Sequence, residues 1–168
     1  KGVAIAKLLD EALIAETYEF DNWKPFLFFR SGYFLNEIEK SAIVVTCPSD
    51  SSYFVRLYDG NEEAWLLRDS IGGLYANPIQ FGLSFDDYNF DGQNDVYIQV
   101  SSSNGYSLSY GHLLIIDPTN KTFIEQDEAA RLANMQPDSL TQTIISEDVI
   151  WCRKNGMREV CKSKSKWF

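Results

Sequence analysis

Histidine is almost missing from these 168 residues: His112 stands alone among 24 acidic and 15 basic side chains. A hydrolase of the Ser/His/Asp kind needs an imidazole beside its nucleophile. A single histidine inside the strand-like run from Tyr110 to Ile116 reads instead as a hydrogen-bonded sheet residue. The chain also lacks a Gly-rich phosphate loop, a dinucleotide fingerprint and the Cys/His spacing of a zinc site. Acidic pairs such as Glu62 and Glu63 occur, but beside a turn they are solvated, and nothing fixes the separation that a glycosidase requires. The residues predict a protein that is not an enzyme.

Long apolar runs are missing too, since none approaches the ~20 residues that a membrane-spanning helix needs. Basic residues are few for a chain with a net charge of −9 and a pI near 4.6, which excludes a nucleic-acid partner, because phosphate binding is driven by clustered Lys and Arg. The acidic balance favours a basic protein partner or a cation, or serves solubility alone. Lys1 opens the chain where a primary translation product has Met, as signal-peptide cleavage or trimming would leave it.

Hydrophobic residues make up 45% and aromatics 14%, enough for one domain spanning residues 1–168. Val3 to Ile14 places Ile5, Leu8, Leu9, Ala12 and Leu13 on one helical face. Aromatic-rich segments follow at Phe26–Phe29 and Tyr33–Leu35, and strand patterns at Ser41–Cys47, Tyr53–Tyr58, Glu62–Leu67, Ile79–Phe85, Val96–Val100, Ser107–Ile116 and Thr141–Ile145. Asp59-Gly60 predicts a two-residue hairpin turn with Arg56 opposite Glu63. Asp117-Pro118-Thr119-Asn120 is a turn by its chemistry, and Asp127 to Asn134 a short helix capped by Asp127. The fold expected is mainly β, about eight to ten antiparallel strands in a partial β-propeller or twisted sandwich, with an N-terminal helix and one short internal helix.

Two of the three cysteines, Cys152 and Cys161, flank a hairpin with Asn155-Gly156 at its tip. A type I′ turn would leave them diagonal, whereas a type II′ turn with Gly156 first sets Lys154 opposite Glu159 and the cysteines opposite each other. That pair would fall at a non-hydrogen-bonded position, where Cα atoms approach to about 4.5 Å and a disulfide closes easily. The expectation is a Cys152–Cys161 disulfide in an oxidising compartment, periplasmic or extracellular, with Cys47 a buried free thiol.

The segment with the most chemistry is Asp87-Tyr-Asn89-Phe-Asp91-Gly92-Gln93-Asn94-Asp95. Calcium takes about six to eight oxygen ligands, and a loop offering them at alternate positions can wrap one ion, with glycine at the sixth allowing the bend. Asp87, Asn89 and Asp91 would give side-chain oxygens, Gln93 its backbone carbonyl, and Asp95 would close the site. Ile98 stands where an EF-hand needs its bidentate Glu, and Val96–Val100 continues as a strand, so the loop belongs between strands.

Phe81-Gly82-Leu83-Ser84 followed by this loop resembles one FG-GAP repeat, the calcium-loop unit of integrin-type β-propellers. The match covers about residues 80 to 100, and one copy cannot build a propeller of four or more blades. The Asn-Phe-Asp-Gly core, the following strand and hairpin, and the turn from Asp117 to Phe123 are more similar to a family of small bacterial periplasmic lipoproteins. Those have a partial-propeller fold and include immunity proteins that inhibit lysozyme-like effectors of type IV secretion systems. The resemblance implies a calcium-stabilised, periplasmic or secreted inhibitor of a cell-wall hydrolase. Its lipid-bearing cysteine is not visible in this chain. The alternative is a calcium-dependent adhesion or envelope module binding a glycan or matrix partner. In either case the tip Ser101–Tyr110 has the Ser, Gly, Asn and Tyr composition of a binding loop, with Asn104, Tyr106 and Tyr110 as its contacts.

Overall fold

A computed structural model describes residues 4–49, 51–61, 63–103, 108–152 and 157–165, with the backbone alone at 102, 103, 148–152 and 157–160. Asn104 and Tyr106, and the Asn155-Gly156 tip, therefore lie outside the described residues. The structure is mainly β, with twelve antiparallel strands in three sheets among the described residues, none of which closes on itself there. One α-helix, α1 (Ile5–Ile14), precedes them. The chain groups into two compact units, residues 1–79 with 116–124, and residues 80–115 with 125–168, where composition alone suggested one domain.

In the first unit, strands β1 (Tyr18–Trp23), β2 (Phe26–Gly32), β3 (Lys40–Cys47), β4 (Ser52–Gly60) and β5 (Trp65–Tyr75) pair in chain order. Of the two aromatic-rich segments, Phe26–Phe29 opens β2, and Tyr33–Leu35 lies outside the strands. Leu8 and Ala12 of α1 bury against Leu27, Phe29, Ala42 and Val44, as their helical spacing required. The end of α1 is held by Lys40, whose Nζ donates to the carbonyls of Ala12 at 2.8 Å, Leu13 at 3.1 Å and Ala15 at 2.5 Å. These are carbonyls that a helix C-terminus leaves unpaired, and an ammonium there also meets the negative end of the helix dipole. Burial pushes the Lys40 amine below its ordinary pKa.

The hairpin between β4 and β5 turns later than Asp59-Gly60 predicts. Gly60 pairs with Trp65, and the connection is Asn61–Ala64. Asn61 Oδ1 accepts the amides of Glu63 at 2.9 Å and Ala64 at 2.8 Å, so a side-chain-bonded turn prevails over the two-residue one. Arg56 consequently pairs with Ser70 rather than Glu63.

In the remaining chain, β6 (Gly82–Asp86), β7 (Asp95–Ser103), β8 (Leu108–Ile116) and β9 (Phe123–Glu125) form a four-stranded meander, the topology of a propeller blade. Strands β10 (Ala133–Asp138), β11 (Thr143–Cys152) and β12 (Met157–Ser165) form the third sheet. The internal helix expected at Asp127–Asn134 is only a 3-10 turn, Asp127–Arg131, with Gln126 and not Asp127 at its cap; Ala133 already starts β10.

The register of the last hairpin corrects the expected disulfide. Cys152 lies opposite Met157 and Cys161 opposite Asp148, and Cys161 carries a free thiol. The reason is side-chain pairing farther down the ladder. This register sets Glu147 across from Lys162, an ion pair of 3.6 Å, and Ser146 Oγ 2.9 Å from Ser163 Oγ. Lys164 also reaches Asp138 at 2.7 Å, and hydrogen bonds from Lys164 and Thr141 hold that carboxyl down at about 2. Cys47 is buried and forms no disulfide, as expected. The pairing argument for an oxidising compartment therefore falls away.

Gly60 offers a test of the β4–β5 packing. A Cβ there would sit 2.6 Å from Cζ3 of Trp65, a ring fixed by its Nε1 bond to the Leu9 carbonyl at 2.8 Å and by Lys40 Nζ lying 5.6 Å from its centroid. Gly60→Ala should cost about 1–3 kcal/mol, as overpacking does. At Gly82 a Cβ meets nothing closer than 3.4 Å, so Gly82→Ala should cost less. Urea midpoints at unchanged slope check this, and equal losses would contradict the Trp65 contact.

Candidate functional site

The loop joining β6 to β7 is built by alternation. Asp87, Asn89 and Asp91 turn their oxygens onto the loop's own backbone, while Tyr88 and Phe90 between them pack into the core with Tyr97, Leu113, Ile115 and Met135. Sequence reading singled out the first set and missed the second; the strict polar–aromatic alternation was the available signal. Tyr88 is 3% exposed, and burial, with Asp86 adding to it, pushes its phenol up to about 12. Phe90 and Gly92 adopt the left-handed conformation, φ 63° and 88°, that folds the chain back on itself.

Asp87 sits at the centre of this turn. Its Oδ1 accepts the Asp91 amide at 3.1 Å and its Oδ2 the Gly92 amide at 2.9 Å. Asn89 Oδ1 shares the Asp91 amide at 3.0 Å, and Asn89 Nδ2 donates to Asp91 Oδ2 at 2.8 Å. Asp91 Oδ1 in turn accepts the Gln93 amide at 2.8 Å. Asp95 is fully buried at the start of β7 and accepts the Tyr88 amide at 3.0 Å.

Of the five residues read as metal ligands, the structure brings Asp87, Asn89 and Asp91 into one turn. It places Gln93, nearly buried, beside them and uses Asp95 to tie the two ends of the loop together. The donors are all oxygen, the chemistry calcium prefers. Asp87 Oδ1 and Asn89 Oδ1 lie on one side of the turn, both close to the Asp91 nitrogen. Among the described residues, however, no three Asp, Glu, His or Cys side chains gather closely enough to hold a metal ion. The loop offers oxygens in the expected order, but they are turned onto its own backbone amides, and Asp95 serves as its backbone tie.

The other residues singled out from sequence lie apart from this loop. His112 on β8 bonds through Nδ1 to Glu125 Oε1 at 3.0 Å, the sheet role its pattern predicts. Tyr110, half-buried, pairs with Ser101 toward the turn end of the β7–β8 hairpin.

Replacing Asp87 by Ala removes two hydrogen bonds, leaving the Gly92 amide without its acceptor and the Asp91 amide with Asn89 alone, and should cost about 2 kcal/mol without added metal. Asp86 accepts only the Asp87 amide at 3.0 Å, so Asp86→Ala, with the same charge change, should cost less. Denaturant titration of both variants decides between them, and equal losses would show that the Asp87 bonds do not organise the loop.

Compared with known proteins, the chain matches no protein family, no curated protein and no solved structure, so its function is read from the loop and the surfaces themselves.

Proposed function

We propose that this chain is an exported, non-enzymatic binding protein that takes a calcium ion at the 87–95 loop and inhibits a basic, lysozyme-like cell-wall hydrolase. The observation that carries this reading is the loop itself, in which Asp87, Asn89 and Asp91 supply only hard oxygens within one closed turn. Those residues, with the Gln93 carbonyl, would hold the ion, and its charge would offset the crowding of the carboxylates. The net charge of −9 complements a basic partner. A loop anchored by Tyr88, Phe90 and Asp95 stiffens the start of β7, and a stiff β7–β8 hairpin lowers the ordering cost of binding through Asn104, Tyr106 and Tyr110.

The experiment has two arms. Calcium at about one hundred times its Kd should add ~2.7 kcal/mol to stability, raising the melting temperature above that in chelator. A basic lysozyme should lose turnover in proportion to added protein and reach full suppression near equimolar ratio. Superimposable melts overturn the ion, and undiminished lysozyme turnover at molar excess overturns the inhibitor.

A further inference from the structure

Strand β1 is an edge, and among the described residues β2 is its only strand partner. Its six residues alternate half-buried and exposed, so Tyr18, Phe20 and Asn22 face one side while Glu19, Asp21 and Trp23 stand out on the other. Its register with β2 runs unbroken from Tyr18 to Trp23, without a bulge, and no proline interrupts it. Such an edge leaves alternate backbone N–H and C=O groups free to pair with another strand. Glu19 keeps 60% of its side chain exposed, its contact with Arg30 Nε being 4.0 Å, and Trp23 is 58% exposed.

Beside the start of β1 lies a cavity of about 460 Å³ lined by Glu16, Glu19, Arg30, Ser31, Tyr33 and others. Ser31 is 2% exposed, yet its hydroxyl has no hydrogen-bond partner, an uncompensated polar group at the cavity wall. Two carboxylates outnumber the single guanidinium there, and the Tyr33 ring is 46% exposed. Carboxylates, an aromatic face and a spare acceptor are what a lysine or arginine side chain uses.

We propose that the β1 edge, with this cavity at its end, is the docking edge for an extended basic segment of a protein partner, which adds to the five-stranded sheet as a sixth strand. Charge decides the occupant. A second copy pairing antiparallel about Phe20 would set Glu19 of one chain against Asp21 of the other, and like charges directly opposite destabilise a ladder. A segment alternating basic and apolar residues places its cations against Glu19 and Asp21, with Glu16 in the cavity beyond the strand's start. Its apolar residues then fall beside Tyr18 and Phe20, with Trp23 closing the far end.

This proposal shares with the hydrolase reading only the basic character of the partner, and the test separates the two. The probe is an end-capped peptide of alternating lysine and valine, titrated into isotope-labelled protein, with an alternating glutamate–valine peptide as control. The lysine peptide should shift the amides of residues 18–23 and 31–33, and the glutamate peptide should not. Glu19→Lys combined with Asp21→Lys should weaken peptide binding at least about tenfold, or ~1.4 kcal/mol. The neutral pair Glu19→Gln and Asp21→Asn should weaken it less, and both variants should melt with the wild type. Shifts centred elsewhere, no binding, or unchanged affinity in the lysine variant would overturn the proposal. If the peptide maps to β1 while lysozyme is untouched, the hydrolase reading fails and the edge stands. If wild type and lysine variant inhibit lysozyme equally and the lysine peptide leaves the amides of residues 18–23 unshifted, the edge is overturned and the hydrolase reading stands.

Discussion

One carboxylate accepting two backbone amides organises the part of this molecule on which its function is read. Asp87 satisfies the Asp91 and Gly92 amides at once, and the bend this imposes needs left-handed backbone at Phe90 and Gly92. The same bend sends Tyr88 and Phe90 inward, so the loop is fastened from both sides. Asp95 then closes it through the Tyr88 amide, and β7 begins from a fixed point. An oxygen-rich loop organised by its own amides keeps its shape before any ion arrives, which reduces the ordering that binding would require.

What could be read from the sequence divides along a physical line. Patterns that report burial were legible at Leu8 and Ala12, by their helical spacing, and in the apolar run of Ser41–Cys47, while the burial of Tyr88 and Phe90 was missed. Features that depend on competition between neighbouring polar groups were not. Asp59-Gly60 is a strong turn signal taken alone, but Asn61 two residues on makes two amide bonds that the shorter turn forgoes. The cysteine pair failed likewise, because its register was counted outward from the tip while Glu147–Lys162 and Ser146–Ser163 set it from the base. The short helix after Asp127 lost to strand pairing at Ala133, a tertiary contact that no local window contains.

Charge is distributed unevenly over an acidic chain. Several of the cations are engaged: Lys40 on helix carbonyls, Lys121 on Glu39 at 2.6 Å, Arg68 on Asp59 at 2.7 Å, Lys164 on Asp138. Carboxylates on the outer face of β1 have only the distant Arg30 contact. A cationic partner approaching by diffusion is steered by exposed carboxylates such as these.

The meander order of all three sheets bears on how the chain is made. Strands that pair with their immediate neighbours close short loops, so each hairpin can form while later residues are still being synthesised, and local contacts of this kind favour fast folding. The first unit is an exception in one respect. It includes residues 116–124, where the Phe123 amide bonds Asp69 Oδ2 at 2.7 Å and Lys121 reaches Glu39. On the ribosome the five-stranded sheet would stand assembled before that segment emerged, without the Phe123–Asp69 and Lys121–Glu39 contacts for the interval in which β6, β7 and β8 are synthesised.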